Sequence, residues 1–514
     1  MLRNRFWIGA LVMSAWALGG CGGSSKVETD GGPAIGGDSG TDPGPGETGP
    51  GDGGNTVPFP DAGETPIAQT PVKVTPLPVG SANWTFYGKN EGTPTQVNGV
   101  TADGDGNLWV AGGEEGLFLL KRGTTTFRKF TMADGLRPYG FQADGSAPPG
   151  TPYLNVISVE GGPGSSVFVG YFGKRVSGKK DCESNFDLGN DGIADPNIYK
   201  SGDADRVTIA GNGISVVHYD ISTGPGLVGK PGDSYYVGGR EKICDIHRIV
   251  YDYHPPVNGQ DHSSVWFGAN HGFSRGEPGY TGNPTCNGQY ACSGVQEHIH
   301  PYPADGSDRL GDFRGVAPDK AGNVWAGGAV ASTKIPWASH YDWFNSIRHV
   351  EGKEETNKFD FWPGAWPAFD DMVTSMAVAG DETLWVASSV HGLAHLTAAG
   401  TNPQYFTKSP GQLFTNSVTN VAADPIDPDS VWVGYGYAGG ISRIRTLNNT
   451  TTFKNFGYAD LGELSNLHVL DIQFDETVKP GRRVLVAFTD FNDHKPFTNR
   501  PFIRSGVIGI YTGD

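Results

Sequence analysis

The sequence predicts an all-β fold, a seven-bladed β-propeller, from three observations. A four-strand unit between Asn98 and Thr131 has Gly, Asp or Asn turn signals between its short apolar runs. The unit recurs about seven times along the chain. The 514 residues include 78 Gly and 36 Pro, which suits turn-rich β structure rather than helical bundles. Because one four-stranded meander buries too little surface to be stable alone, we expect the copies to pack as blades around an axis.

The second strand of the unit is the clearest marker of the repeat. Most copies carry an aromatic ring at its centre, and we expect this ring to fill the gap between neighbouring sheets. An acid closes the strand before the marker, where it suits a tight turn. The markers are Leu108–Val110, Val167–Val169, Val265–Phe267, Val324–Ala326, Leu384–Val386, Val431–Val433 and Val484–Val486, and the acids are Asp103, Glu160, Asp252, Asp319, Asp381, Asp424 and Asp475.

The last unit of the chain offers only three strands. An aromatic strand without a unit of its own, Asn83–Tyr87, precedes the first unit. We therefore expect this N-terminal strand to complete the last blade, which removes both free edges of the ring. The predicted propeller domain spans 81–514.

A resemblance rests on Val100–Leu117, with Asp103, the run GNLWV at Gly106–Val110 and the pair Gly116-Leu117. These residues resemble the two-component-regulator propeller repeat. That repeat forms periplasmic sensor propellers of hybrid signalling proteins and also occurs in secreted lipoproteins. The resemblance covers most of 82–514 and departs in blades two and four. It implies a propeller that binds a ligand or partner, but it names neither.

Residues 1–21 are predicted to be a lipoprotein signal peptide. Arg3 and Arg5 precede the apolar stretch Phe6–Leu18, and Leu18-Gly19-Gly20-Cys21 resembles the bacterial lipobox. Cleavage before Cys21 would leave that cysteine lipidated and anchored in a membrane. An ordinary secretory signal with an incidental cysteine is the alternative.

Residues 22–80 are rich in Gly, Pro, Asp, Thr and Ser and are predicted to form a disordered tether. Gly22 rather than Asp follows the lipobox, which favours the outer over the inner membrane. The expected location is the bacterial cell envelope, facing the periplasm or the cell surface.

An insertion in blade two carries acids around a glycine-rich segment. Asp187, Asp191 and Asp195 resemble a Ca²⁺ loop, since Ca²⁺ takes several oxygen ligands from a curved backbone. Asp203 and Asp205 follow. Ca²⁺ is therefore a possible cofactor, and solvated acidic turns are the alternative.

Four cysteines lie beyond the predicted anchor. An even number in an exported protein favours disulfides over metal binding, since no CxxC pair occurs. The short spacing pairs Cys286 with Cys292 and leaves Cys182 with Cys244.

Two groups of side chains are candidates for ligand binding. An aromatic insertion at Ile335–Asp371 includes Trp343, Trp362 and Trp366. Such rings form interfaces or carbohydrate platforms, or else a satellite core. His271 and His391 occupy similar turns after two marker strands and would approach the axis if those turns share one mouth of the ring. Turn-capping or solvated histidines are the alternative.

The chain carries a net charge of −17 and no basic stripe, which argues against nucleic-acid binding. No catalytic motif such as GxSxG, HExxH or a P-loop is present, and we assign no catalytic residue. The favoured interpretation is a binding scaffold for a protein or glycan ligand. A propeller lyase or hydrolase with its site at the channel mouth is one alternative, and an input module for a separate kinase is another. A convergent cluster of His and acid side chains from at least three blades would favour the enzyme.

Overall fold

The computed structural model describes residues 83–138, 153–173, 202–219, 221, 243, 245–256, 261, 263–270, 272–282, 294–299, 313–320, 323–328, 337–342, 359–362, 373–436, 439–489 and 506–513. The statements below concern these residues. Among them, no helix is both long enough and apolar enough to cross a membrane.

The described chain forms seven four-stranded antiparallel sheets, which confirms the all-β propeller. Blade 1 contains β2 (Gly99–Ala102), β3 (Leu108–Ala111), β4 (Leu117–Leu120) and β5 (Arg128–Phe130), and blade 2 contains β6 (Val156–Gly161), β7 (Ser166–Tyr171), β8 (Ala204–Ala210) and β9 (Gly213–Tyr219). Blade 3 contains β10 (Ile246–Asp252), β11 (Ser264–Ala269), β12 (Phe273–Gly276) and β13 (Val295–Ile299). Blade 4 contains β14 (Phe313–Pro318), β15 (Asn323–Gly328), β16 (Trp337–Asp342) and β17 (Phe359–Trp362). In blade 5, β18 is Val373–Val378, β19 Leu384–Ser388, β20 Leu393–Leu396 and β21 Gln404–Phe406; in blade 6, β22 is Val418–Ala423, β23 Ser430–Tyr435, β24 Ile441–Leu447 and β25 Thr450–Phe456; in blade 7, β26 is His468–Asp475, β27 Arg483–Thr489 and β28 Val507–Tyr511, joined by β1 at Trp84–Tyr87. A one-turn helix, Tyr458–Leu461, and short 3₁₀ turns at Lys89–Glu91, Met132–Asp134 and Gly462–Asn466 lie between strands.

The first strands of the blades form a closed inner circle. Each contacts the first strand of the next blade, and β26 contacts β2 to complete the ring. The N-terminal strand β1 pairs antiparallel with β28, from Trp84 opposite Tyr511 to Tyr87 opposite Ile508. The prediction that the N-terminal strand completes the last blade is confirmed, and β1 is the outer strand of that four-stranded sheet.

The aromatic rings of the second strands lie between neighbouring sheets, as predicted. Trp109 is fully buried and packs with Val159 and Val169 of the next blade. Trp432 packs in the same way with Val469 and Val486. A flat ring fills a wide, shallow gap with large apolar area, and this repeated contact holds adjacent blades together.

The acid that closes the first strand has a further role that the sequence did not reveal. The Trp109 indole Nε1 donates to Asp103 Oδ2 at 2.8 Å, and Trp432 Nε1 donates to Asp424 Oδ2 at 2.9 Å. The same pair in blade 3, Trp266 and Asp252, is 3.4 Å apart. The carboxylate therefore satisfies a buried N–H that has no water to bond.

One of the predicted closing acids is wrong. Glu160 lies inside β6, where it is paired with Phe168 of β7. Phe168 has no indole N–H, so this blade needs no acid at the closing position. Asp381 lies in the turn after β18, as predicted, and its Oδ1 accepts from the backbone N of Thr383 at 3.0 Å. The tryptophan of that blade, Trp385, stacks on His395 at 4.0 Å between ring centroids.

Candidate functional site

A β-bulge recurs near the start of the first strand in blades 2 to 7. Near its start, each of these strands has two apolar residues that are separated by two other residues. The first of the two residues between them is half-buried and is skipped in the pairing with the second strand. Asn98 holds the same place in blade 1, directly before β2. The skipped residues are Ile157, His247, Arg314, Thr374, Thr419 and Leu470. This end of the ring, where the first strands begin, is called the mouth end below.

In four blades the residues at the bulge are short and polar, and they bond the next blade. Each donates a side-chain hydrogen bond to a backbone carbonyl of the following first strand, which satisfies acceptors that a regular ladder would have used. The bonds run from Asn98 Nδ2 to Val156 O at 3.0 Å, Ser158 Oγ to Ile246 O at 2.5 Å, Thr374 Oγ1 to Val418 O at 2.6 Å, and Thr419 Oγ1 to Val469 O.

Blades 3, 4 and 7 depart from this pattern with larger or charged side chains. Blade 3 carries His247 and Arg248, blade 4 carries Arg314, and blade 7 carries Leu470 and Asp471. Arg248 Nη1 lies 3.0 Å from Asp471 Oδ1, with the two side chains 18% and 6% exposed. Blades 3 and 7 are not neighbours in the ring, so this ion pair crosses the channel.

Asp471 is held by further donors from two other blades. The backbone N of Val100 donates to its Oδ2 at 3.2 Å, and Asn420 Nδ2 donates to its Oδ1 at 3.4 Å. Burial raises the pKa of Asp471, and the nearby Arg248 guanidinium opposes that rise. The carboxylate thus joins blades 1, 3, 6 and 7.

Glu160 is the second acid of this network. Its Oε1 accepts from the backbone N of Tyr251 at 3.3 Å, and its Oε2 accepts from Gln473 Nε2 at 3.1 Å. Burial raises the pKa of Glu160 to about 7, and Arg248 opposes that rise. One guanidinium therefore lies near two carboxyl groups, of which Glu160 is about half protonated at pH 7.

A cavity of about 40 Å³ lies among these residues at the mouth end. It is called the mouth cavity, and at this size it holds only a few water molecules. Blades 1, 2, 3 and 7 contribute its lining: Asn98, Gly99, Ile157, Ser158, Val159, His247, Arg248, Ile249, Leu470 and Asp471. Within the described part of the chain, no group of three or more His, Cys, Asp or Glu residues is arranged to hold a metal ion.

The strand directions place the long connections relative to this cavity. In an antiparallel meander that starts at the mouth end, the second-to-third-strand connection and the link to the next blade both return there. The connections after β5, β7 and β9, which are the longest between the described strands, are of this kind. These three connections therefore begin and end at the mouth end.

Of the two predicted histidines, His391 belongs to a connection at the mouth end. His391 lies between β19 and β20, half-buried, and its backbone N donates to Ser388 Oγ at 2.8 Å. It is not among the residues that line the mouth cavity. His271 lies outside the described residues, between Asn270 and Gly272 of the corresponding turn.

The predicted tryptophans do not follow strands that end together. Trp362 is the last residue of β17, which ends at the mouth end, and its backbone pairs with Ala338. Trp343 directly follows β16, which ends at the opposite end, and lies outside the described residues. The other predicted sites outside the described residues are Trp366, Cys21, Asp187, Asp191, Asp195, Cys182, Cys244, Cys286 and Cys292.

A second buried polar cluster lies in blade 2. His218 Nδ1 is 2.9 Å from Asp205 Oδ1, and His218 Nε2 is 3.4 Å from Asp203 Oδ2. The Tyr171 hydroxyl donates to Asp205 Oδ2 at 2.5 Å, and burial raises the pKa of Asp205 to about 8. These contacts tie β7, β8 and β9 together, so Asp203 and Asp205 support the packing of the blade.

The channel residues belong to no known motif, but the sequence contains a signal for them. When the first strands are aligned on their apolar-x-x-apolar pattern, the two middle positions are mostly Asn, Ser, Thr or Gly. His247, Arg248, Arg314, Leu470 and Asp471 stand out against that background. The same alignment moves Glu160 out of the closing-acid position.

No family model matches the chain, and no curated protein matches it. Similar solved structures include YCF48 bound to D1 peptide, with 12% identity and a TM-score of 0.42 over 85% of this chain and 100% of that one. Virginiamycin B lyase from Staphylococcus aureus matches with 11% identity and a TM-score of 0.41 over 84% of this chain and 100% of the lyase. The extracellular domain of the one-component system BT4673 from B. thetaiotaomicron matches with 12% identity and a TM-score of 0.32 over 80% of this chain and 53% of that one. At these identities and TM-scores the likenesses carry no argument about the function of this chain.

Proposed function

We propose that this protein is a lipid-anchored binding scaffold of the bacterial cell envelope, and that its propeller binds a protein or glycan ligand at the mouth end. The observation that carries the proposal is the replacement of short polar residues at the bulges by His247, Arg248 and Asp471. Short hydroxyl and amide groups are enough to join adjacent blades, as the other bulges demonstrate. Burying charged groups in the channel costs desolvation energy, so an ion pair held across it between blades 3 and 7 points to a role in binding.

The experiment that tests the mouth end is site-specific photo-crosslinking in living cells. A photo-reactive residue is placed at Ile157, a half-buried bulge residue that lines the mouth cavity. The matched control carries it at Tyr253, which is 62% exposed and follows β10 at the opposite end. We expect a discrete adduct from position 157 and none from 253. No adduct from 157, or the same adduct from both positions, would contradict the proposal.

The anchor is tested separately by replacing Cys21 with Ser. Lipidation requires the cysteine sulfur, so we expect Cys21→Ser to shift the protein from the membrane fraction to the soluble envelope fraction. Separation of inner and outer membranes then tests the proposed outer-membrane location. Continued membrane retention of the variant would contradict lipid anchoring.

A propeller enzyme is the second candidate, favoured by the chemistry of the channel. His247, Glu160 and Asp471 come from three blades, and a carboxyl group with a pKa of about 7 suits proton transfer near neutral pH. A hydrolase or lyase activity that Glu160→Gln abolishes, with the Ile157 adduct retained, would support the enzyme. Adduct formation with no turnover of any ligand identified from it would support binding alone.

A further inference from the structure

We propose that the mouth cavity receives the carboxylate of an acidic side chain from a partner peptide, with Arg248 as its principal donor. This inference rests on the proposed function of the mouth end as a binding surface. It goes further in naming the chemical group that enters the cavity and the residue that recognises it.

The first argument is the spare hydrogen-bonding capacity of Arg248. A guanidinium carries five N–H donors in a planar fork. Within the described residues, Nη1 makes the only hydrogen bond of this side chain, to Asp471 Oδ1 at 3.0 Å. The side chain lines the mouth cavity and is 18% exposed. The remaining N–H groups match the paired oxygens of a carboxylate.

The second argument is a buried acceptor beside those donors. Asn98 lines the mouth cavity and is 9% exposed, and its Oδ1 has no hydrogen-bond partner among the described residues. Its Nδ2 is already committed to Val156 O. A buried oxygen without a donor is costly, so this position favours a ligand that also supplies an N–H donor, as a peptide does and a simple carboxylate does not.

The charge balance of the mouth cavity allows an anion to enter. Arg248 is offset by Asp471, and burial raises the pKa of Glu160 to about 7, so Glu160 is mostly protonated at pH 6. The groups facing this network are His247 and Tyr251 of β10, Gln473 of β26 and Asn98 before β2. At pH 6 the two acids and Arg248 therefore leave little net negative charge to repel a carboxylate.

The size of the mouth cavity favours a side chain over a sugar acid. A volume of about 40 Å³ holds a carboxylate and a methylene or two. The carboxylate of a uronic acid is bonded directly to a six-membered ring, which is too wide to follow it in. A glutamate carries the same group on a slender, flexible stem.

The test is a binding titration at pH 6 with the full chain and three probes. These are N-acetyl-L-glutamate methylamide, its glutamine counterpart and D-glucuronate, followed by ligand-observed NMR. We expect the glutamate probe to bind at least about tenfold more tightly than the other two, since charge-assisted hydrogen bonds exceed neutral ones by that margin. The double variant Arg248→Gln/Asp471→Asn removes both charges together and is expected to lose this preference.

The matched control is Lys320→Gln/Glu382→Gln, which removes an exposed ion pair of 2.9 Å at the opposite end. It is expected to keep the full preference. Arg248→Lys keeps a positive charge beside Asp471 but loses the planar set of guanidinium donors, so it should also lower the preference for the glutamate probe. This variant provides the test if the double variant does not fold. Equal binding of the glutamine probe, or an unchanged preference in both Arg248 variants, would overturn the inference. Tighter binding of glucuronate would overturn the peptide source. In each case the Ile157 adduct reports independently on the proposed function.

Discussion

Replacing Glu160 with Gln should change how the stability of the propeller depends on pH. Burial raises the pKa of Glu160 in the folded chain from 4.5 to about 7. Folding therefore favours the protonated carboxyl group, and the stability it contributes is fully present below pH 4.5. That contribution is lost as the pH rises through 7, because the folded chain must then hold a buried carboxylate.

The size of the effect follows from the shift. Between pH 4.5 and 7 the wild-type chain should lose roughly 3 kcal/mol of unfolding free energy relative to a chain without this group. Glu160→Gln cannot ionise, and its amide, like the protonated carboxyl group, accepts through one oxygen from the backbone N of Tyr251 and can donate from the other position to the amide oxygen of Gln473. We expect the variant to be about as stable as wild type at pH 5 and more stable at pH 8.

Denaturant unfolding of both proteins at half-unit steps from pH 5 to 8 measures this directly. The raised pKa of Asp205 and other titrating groups are common to both chains and cancel in the difference. A wild-type-minus-variant difference that stays constant with pH would refute the reasoning. A difference that grows with pH would mean that the pairing of Glu160 with Arg248 outweighs its burial.

Two further changes test the contacts between blades. Asp424→Asn removes the charge opposite the buried Arg482, whose Nη2 is 2.6 Å from Asp424 Oδ2, and should cost about 3 kcal/mol in denaturant unfolding, whereas Asp381→Asn at an exposed turn should change little. Equal losses of unfolding free energy in the two variants would mean that the buried pair of Asp424 and Arg482 does not stabilise the fold. Trp84→Ala empties the space between blades 6 and 7 and should cost about 3–5 kcal/mol, compared with under about 0.5 kcal/mol for Tyr253→Ala. A small loss at Trp84 would mean that the closing strand contributes little to the ring.

The parts of the fold that repeat were predictable from the sequence. Trp109 and Trp432 recur at one place in a strand, and a wide ring at a repeated strand position fits only between sheets. Trp84 was placed in the last blade because that unit lacked a strand and the N-terminal segment had no unit. These inferences use periodicity and composition alone, which a single sequence contains.

The channel network was not predictable in the same way. Arg248 and Asp471 are 223 residues apart and meet because blades 3 and 7 face one channel. The sequence alone predicts a turn at Glu160, because the bulge at Ile157 that shifts the register of β6 has no characteristic amino-acid composition. The contact of His218 with Asp203 and Asp205 joins two strands whose connection the sequence had assigned to an insertion.

The pairing of β1 with β28 brings the two ends of the folded chain side by side. The backbone N of Thr512 donates to Asn83 O at 2.9 Å, so a short peptide is enough to join them. A side chain added at Gly123 would meet no atom within 4 Å, which makes this turn a suitable place for new termini. A chain permuted in this way would keep every described sheet. Its termini would lie inside blade 1 instead of at the pairing of β1 with β28, so the propeller does not depend on the point at which the chain begins.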